Sequence, residues 1–410
     1  MLEDLDRVDW ARLTHAYGPA GDLPAKIRGL ASPDPKARES SRNGLFATIF
    51  HQGTRYRASA PAVPFLFEVL EAPETPERDQ LIDLLVHLAV GYPEGHLPAG
   101  FDPSRAFPEI DELGAEDDLD AVRSAEPSEE DEYEAGRGAL WARDAYRAVL
   151  ARLDVFRRVA DDDDEKVRKA AVRALAWFPE AAAESAALVR RIARDRPEPG
   201  ETADAVSCLG ILDRSLSDRS DVPWLQDRLA PETPFVVRVA AAHSLALILG
   251  KALPPEALDV LLDAITDPRG GEAEGRDAAW HMAGLVAQIC GVIDLLDLEP
   301  TEPVVAALCK ATEAATMWPS MSLWDTLLNR VFPDGQMVRF VPDPSVAAGQ
   351  RPAFRDPREF TAVQRRAVEA VIRSPYWTPT PNGFGALEEI LWGHALPNSR
   401  EKLQALLDEA

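Results

Sequence analysis

The stretch Asp164-Glu165-Lys166-Val167-Arg168-Lys169-Ala170-Ala171, running on to Leu175, decides the architecture. An acid at a helix start suits the positive end of the helix dipole. The apolar residues that follow, Val167, Ala170, Ala171 and Leu175, fall at i, i+3, i+4 and i+8 and make one buried stripe. The same order returns in Pro234-Phe235-Val236-Val237-Arg238-Val239-Ala240-Ala241, running on to Leu245. Between the two, Ala203-Asp204-Ala205-Val206 leads to Leu209. Ala171, Ala205 and Ala241 are in step, as are Leu175, Leu209 and Leu245. The separation is about 35 residues, the length of a helix pair with short turns.

The register extends both ways. Arg276-Asp277-Ala278-Ala279-Trp280-His281 matches Arg238-Val239-Ala240-Ala241-Ala242-His243. Toward the N-terminus, Asp34-Pro35-Lys36-Ala37-Arg38 leads to Leu45, and Arg78 leads to Leu85. This pattern resembles the HEAT repeat. The resemblance implies that the Asp and Arg tie neighbouring repeats together and that the small residues let helices pack closely. The expected fold is all-α: a HEAT-type right-handed α-solenoid of stacked antiparallel helix pairs. Each pair can bury its stripe only against its neighbours, so the repeats must stack.

Composition agrees. At 410 residues the chain outgrows a single compact core. Apolar residues make up 46% and aromatics only 7%, a balance that favours helices over sheets. The prolines fall mostly between periodic segments, as in Ser32-Pro33-Asp34-Pro35 and Leu253-Pro254-Pro255, where they start and stop short helices. Two regions break the pattern. Residues 92–136 are rich in Pro, Gly and acid, and about half of the net charge sits between Glu109 and Glu134. This reads as an acidic inserted loop. Residues 332–358 read as a second long loop. The expected division is N-terminal repeats 1–91, insertion 92–136, central repeats 137–331, loop 332–358, and C-terminal helices with a cap 359–410.

The formal net charge of −25 opposes nucleic-acid phosphates and anionic membranes. It suits a basic protein partner, or serves solubility alone. Cys208, Cys290 and Cys309 are far apart and odd in number, so they form neither a disulfide framework nor a zinc site. In helical apolar settings they read as small buried hydrophobes. The acidic N-terminus lacks the positive charge of a signal peptide, and no apolar run is long enough to span a bilayer. The expected location is the cytoplasm.

The least generic segment is Ile49-Phe50-His51-Gln52-Gly53-Thr54-Arg55-Tyr56-Arg57-Ala58-Ser59-Ala60-Pro61-Ala62-Val63-Pro64-Phe65-Leu66. Six of the seven residues from His51 to Arg57 have side chains able to hydrogen-bond, and Gly53 permits a tight turn. It resembles a segment of HEAT-repeat proteins of high-GC, actinobacterial-type bacteria, some of which resemble immunity proteins of toxin systems. Two readings stand. His51, Gln52, Thr54, Arg55 and Tyr56 form a binding edge, or they satisfy backbone groups at a sharp bend. His243, His281 and Trp280 are further binding candidates, since the two histidines hold equivalent repeat positions.

Several chemistries lose support. Asp161-Asp162-Asp163-Asp164-Glu165 lacks the glycine and spacing of a calcium loop and reads as helix capping. None of the seven histidines precedes a glutamate, unlike the iron-binding HEAT class that resembles deoxyhypusine hydroxylase. No metal site or cofactor is expected. A DNA-glycosylase-like reading needs a cationic groove, and Arg190-Arg191 and Arg365-Arg366 are not a stripe. Nothing specific points to a tetrapyrrole, the ligand of the HEAT-like phycobilin lyases. No Walker A, G-x-G-x-x-G or G-x-S-x-G motif occurs. Ser374-Pro375-Tyr376-Trp377 and the residues to Gly385 read as a cap on the last helices. The expected function is a non-catalytic protein-binding scaffold or adaptor, immunity-like, with a basic partner on its concave face. The alternative is a ligand-binding or enzymatic HEAT protein with a small-molecule or nucleobase groove.

Overall fold

The computed structural model describes residues 2–107, 110, 116–125, 135–267, 284–315, 318–335, 353–377 and 386–409. Apart from a two-residue hairpin, β1 (Thr14–His15) with β2 (Gly18–Pro19), the regular structure among them is helical. The chain divides into two compact units, residues 1–196 with 211–217 and residues 197–210 with 218–410.

The first unit contains α1 (Leu23–Gly29), α2 (Pro35–Ile49), α3 (Ser59–Glu71), α4 (Arg78–Val90), α5 (Glu116–Ser124), α6 (Ala135–Leu150), α7 (Leu153–Val159), α8 (Glu165–Leu175) and α9 (Ala182–Asp195). Helix α4 is its centre. It packs against α2, α3, α6 and α8 and is buried along almost its whole length. Two of the helix starts aligned in the sequence share one local geometry. Asp34 caps α2 by accepting from the Lys36 N–H, and Asp164 caps α8 by accepting from the Lys166 N–H. Such a cap is worth about 1 kcal/mol. Four residues on, Arg38 donates to the Ser32 and Pro33 carbonyls, and Arg168 donates to those of Asp162 and Asp163. Each motif fixes the turn that enters its helix.

Ion pairs then join successive helix starts. Arg38 and Arg42 of α2 both reach Glu77, at 3.0 and 3.1 Å. Arg78, the next residue, grips Asp162 with two 2.8 Å hydrogen bonds. Asp161 in turn accepts from Arg191 and Arg196. Arg38 and Arg78 are both buried, so these are bidentate or shared pairs with little competition from water.

The acidic stretch 92–136 is not simply a loop. Within it lie a 3-10 turn at Pro93–His96 and helix α5. Ile110 and Leu119 are buried with Leu140 of α6, and Phe107, Val122 and Trp141 pack on them. Phe101 is buried against Tyr146, ring centroids 5.1 Å apart. The physical reason is that a few apolar residues among the acids have a face of α6 to bury against.

Helix α10 (Pro199–Leu216) is followed by α11 (Val222–Asp227), α12 (Phe235–Leu249), α13 (Pro255–Thr266), α14 (Leu285–Leu295), α15 (Glu302–Ala314), α16 (Trp318–Val331), α17 (Ala362–Arg373), α18 (Ala386–Gly393) and α19 (Arg400–Asp408). In the second unit α12 packs on α13, α13 on α15, α14 on α16 and α15 on α17. Gly210 of α10 meets Ser244 of α12 so closely that a Cβ would lie 2.5 Å from its Oγ, and that hydroxyl donates to the Val206 carbonyl. The in-step residues Ala171, Ala205, Ala241, Leu175, Leu209 and Leu245 have no exposed surface, and neither have Leu45 and Leu85. Ala279 lies outside the described residues. The three cysteines are free and buried, as expected.

One expectation about membranes is corrected. The stretch Phe235–Ala252 is long and apolar enough to cross a bilayer by length and composition. It is mainly α12, whose residues from Val239 to Leu247 are all buried inside the chain, His243 and Ser244 included. An apolar helix covered on all sides is what a protein core contains. At the C-terminal end, Trp377 donates to the Val371 carbonyl at 2.7 Å and packs on Trp324. Residues 378–385 of the expected cap, and 336–352 of the second loop, lie outside the described residues.

Candidate functional site

The chain leaves α2 at Phe50 and enters α3 at Ser59, and the turn between them is held from both sides. The buried Ser59 hydroxyl donates to the Ile49 carbonyl at 2.7 Å and accepts from the Tyr56 N–H at 2.8 Å. The hairpin is stitched to the same place by two backbone hydrogen bonds, Ala16 N–H to Thr48 O and Ala58 N–H to Thr14 O, both 3.0 Å. Between these anchors the backbone turns tightly. Gln52 sits in the left-handed region (φ 50°, ψ 37°) and Gly53 follows at φ +87°. For a non-glycine residue that conformation costs on the order of 1 kcal/mol or more.

Gly53 is needed for more than its torsion. A Cβ there would lie 2.9 Å from Cε2 of Tyr92, so the ring of Tyr92 lies on the turn. Gly91 plays the reciprocal part: a Cβ on it would lie 3.2 Å from Nη1 of Arg55. Arg55 and Tyr92 are thereby packed into one place by two glycines from distant segments. On the hairpin side, the Tyr17 ring meets His51 edge-on at 5.3 Å, with its hydroxyl 3.4 Å from Nδ1. Tyr17 is held by its own backbone, whose N–H donates to His15 Nδ1 at 3.1 Å. His15 therefore carries its proton on Nε2 and donates it to Asp22 at 2.9 Å. Burial alone would raise the Asp22 carboxyl, but hydrogen bonds from Lys26 and His15 hold it below its ordinary value.

Beneath the turn lies an aromatic floor. Phe50 meets Tyr92 at 5.3 Å and His87 at 5.0 Å, and Phe46 meets His87 at 5.4 Å, all edge-on. His87 is buried in α4. Burial works against its charged form, but Asp83 outweighs it by hydrogen bond and charge, and the imidazole is raised above its ordinary value. Arg55 contrasts with its neighbours. Its guanidinium is half-buried and donates Nη1 to the Gly53 carbonyl at 2.5 Å. Its Nε is buried without an acceptor. Burial alone acts on it, and pulls it down to about 10.

The structure brings His51, Gln52, Arg55 and Tyr56 to one turn, with Gln52 and Thr54 exposed. It adds two residues that the linear reading missed, Tyr17 and Tyr92, which are 67% and 49% exposed. Their signal was faint: each adjoins a glycine, Gly18 or Gly91, at positive φ. His243 is corrected. It lines no surface but is buried in α12, where loss of water lowers its imidazole to about 4 and keeps it neutral. Trp280 and His281 lie outside the described residues.

Other polar clusters are committed internally. A cavity beside Leu30, Thr75 and Leu81 contains Arg38 and Arg42, and both are taken by Glu77. In the second unit, Asp294 accepts from Thr326 at 2.7 Å and pairs with Arg330, and burial raises both Asp294 and Asp325. Burial pushes the adjacent Cys290 thiol far up, which removes it as a nucleophile. No group of three or more metal-binding side chains occurs among the described residues. No model of a known protein family matches this sequence, and no curated protein matches it.

Proposed function

We propose that the chain is a cytoplasmic, HEAT-type binding scaffold of stacked helix pairs, immunity-like in role, and that it holds a protein partner at the turn 51–57. The repeated Asp cap and Arg clamp of α2 and α8, and the ion pairs that link α2, α4 and α8, support the HEAT-type reading. One observation carries the binding reading. Two exposed tyrosines from separate segments are packed onto a strained turn beside an arginine that no acid pairs among the described residues. Tyrosine and arginine dominate the energetics of protein interfaces. The tyrosines and arginine lose little by burial against a partner, because the hairpin and the glycines already hold them in position. The net charge of −25 steers a partner that is basic over much of its surface.

The test is affinity capture from native lysate with the full chain and with the His51→Ala/Arg55→Ala/Tyr92→Ala variant, at low and high salt. The expected result is one protein retained stoichiometrically by the wild type, weakened by salt and lost in the variant. Retention by both proteins would move the surface elsewhere, and retention of nothing by the wild type would end the scaffold reading.

A further inference from the structure

The turn also indicates what it receives. Arginines elsewhere in the first unit are neutralised by the chain itself. Arg28 pairs with Asp6, Arg38 and Arg42 with Glu77, Arg78 with Asp162, and Arg152 and Arg158 with Glu71. A chain with 69 acidic residues has no shortage of carboxylates to offer. Among the described residues Arg55 nevertheless has none: its hydrogen bond goes to a neutral carbonyl, its Nε has no acceptor, and no charge shifts its acidity. A half-buried, uncompensated guanidinium costs free energy. It persists here beside a left-handed Gln52, so two unfavourable features coincide at one solvent-facing place. Strain and unpaired charge of this kind collect at sites of recognition.

We infer that the turn is a receptor for one carboxylate, presented as an Asp or Glu side chain by the protein partner. The remaining N–H groups of Arg55 donate to the carboxylate, and Tyr17 and Tyr92 flank the pair. This rests on the turn being the binding surface proposed above. A carboxylate is favoured over a phosphate on two grounds. The strongly acidic chain repels a dianion more than a monoanion. Arg55 is also the only cation of its turn without a committed acceptor among the described residues. Lys26 is tied to Asp22, and Arg57 donates to the Val122 and Arg123 carbonyls. Steering and docking then divide the work: a broadly basic partner is attracted at long range, and one acidic side chain fixes its register.

The experiment uses the full chain with 15N-labelled arginine. The Arg55 Nε–Hε resonance is assigned by its loss in Arg55→Lys, and sodium acetate, acetamide and inorganic phosphate are titrated at constant ionic strength. The inference expects a saturable shift with acetate, none with acetamide, and weaker saturation with phosphate. No saturable response to acetate overturns it, and so does tighter saturation by phosphate. A second measurement is the melting temperature of Arg55→Leu, expected to equal or exceed that of the wild type because an uncompensated charge is removed. A melting temperature lower by several degrees would make Arg55 structural and overturn the inference. Failures separate cleanly. If acetate binds at Arg55 but no protein is captured, the carboxylate site stands and the scaffold reading falls. If a protein is captured equally by wild type and Arg55→Leu, the scaffold stands and the carboxylate inference falls.

Discussion

Gln52 holds a local conflict inside the turn. It is exposed, so no packing holds it, and its backbone is left-handed only because Ser59, the hairpin and Gly53 close the turn around it. A residue whose conformation is imposed by its neighbours is a good probe of why the neighbours impose it. Glycine accepts that conformation without the Cβ clash. Gln52→Gly should therefore raise stability by several tenths to about 1 kcal/mol, after allowing for glycine's greater freedom in the unfolded chain. Urea denaturation measures the change. The same variant should hold a captured partner less well, since it removes an exposed amide from the surface. Lower stability would show that the side chain of Gln52 supports the turn. The sequence made His51, Gln52, Thr54, Arg55 and Tyr56 visible as a polar run between two apolar helices. It could not show that Tyr17 and Tyr92 belong with them, because their approach depends on hairpin stitching and on two glycine contacts between distant segments.

Elements show a second limit on linear reading. Helix α5 lies in the most acidic part of the chain, where composition predicts a solvated loop. It forms because Leu119 and Val122 lie one turn apart and face Ile110, Leu140 and Trp141. Its C-terminal carbonyls, at Val122 and Arg123, accept from Arg57 at 2.8 and 3.0 Å, a cation at the negative end of the helix dipole. Arg57 also lies over the Trp141 ring, and Arg123 makes two 2.8 Å hydrogen bonds with Asp144 of α6. The turn 51–57 thus reaches outward through Arg55 and inward through Arg57, and the inward arm clamps the acidic segment. Hydrogen bonds to a charged group are worth about 1.5–3 kcal/mol. Arg57→Ala should then speed amide exchange in residues 119–125 by roughly tenfold to a hundredfold, with α4 and α8 unchanged. Unaltered protection in α5 would mean that its apolar face alone holds it. The helices that were legible in advance, such as α2 and α8, announce themselves by an acid cap followed by a regular stripe. Helix α5 has a stripe of two residues and acids on every side.

At the scale of the whole molecule, the helical class was the legible part, because the periodic apolar stripes and their small residues mark buried helix faces. Ala171, Ala205 and Ala241 are buried in step for one reason, close packing between helices. The first break between the units follows Arg196, where Pro197, Pro199 and Gly200 interrupt the helical pattern, but so many other prolines do the same that this one does not stand out. The two units carry histidines with opposite responses to acid. In the first, Asp83 raises His87 above its unfolded value near 6.5. Its contribution is fully present below that pH and is lost as the pH rises through the folded value. In the second, burial lowers His243 and His394 to about 4. Their neutral forms leave stability intact above 6.5, and it declines as the pH falls from 6.5 toward 4. For His243 alone the loss at pH 5 is about 2 kcal/mol. Carboxylates held low by arginines, such as Asp162 and Glu77, lose their contribution only at lower pH, as they protonate. Acidification from pH 8 to 5 should therefore strengthen the first unit while weakening the second. Calorimetry of the full chain should show two transitions that move apart over this range, the lower one falling by several degrees. His243→Leu should flatten the pH dependence of that transition and leave the other in place. Two transitions that shift in parallel, or a lower transition indifferent to His243→Leu, would mean that the buried imidazole is not what makes the second unit acid-sensitive.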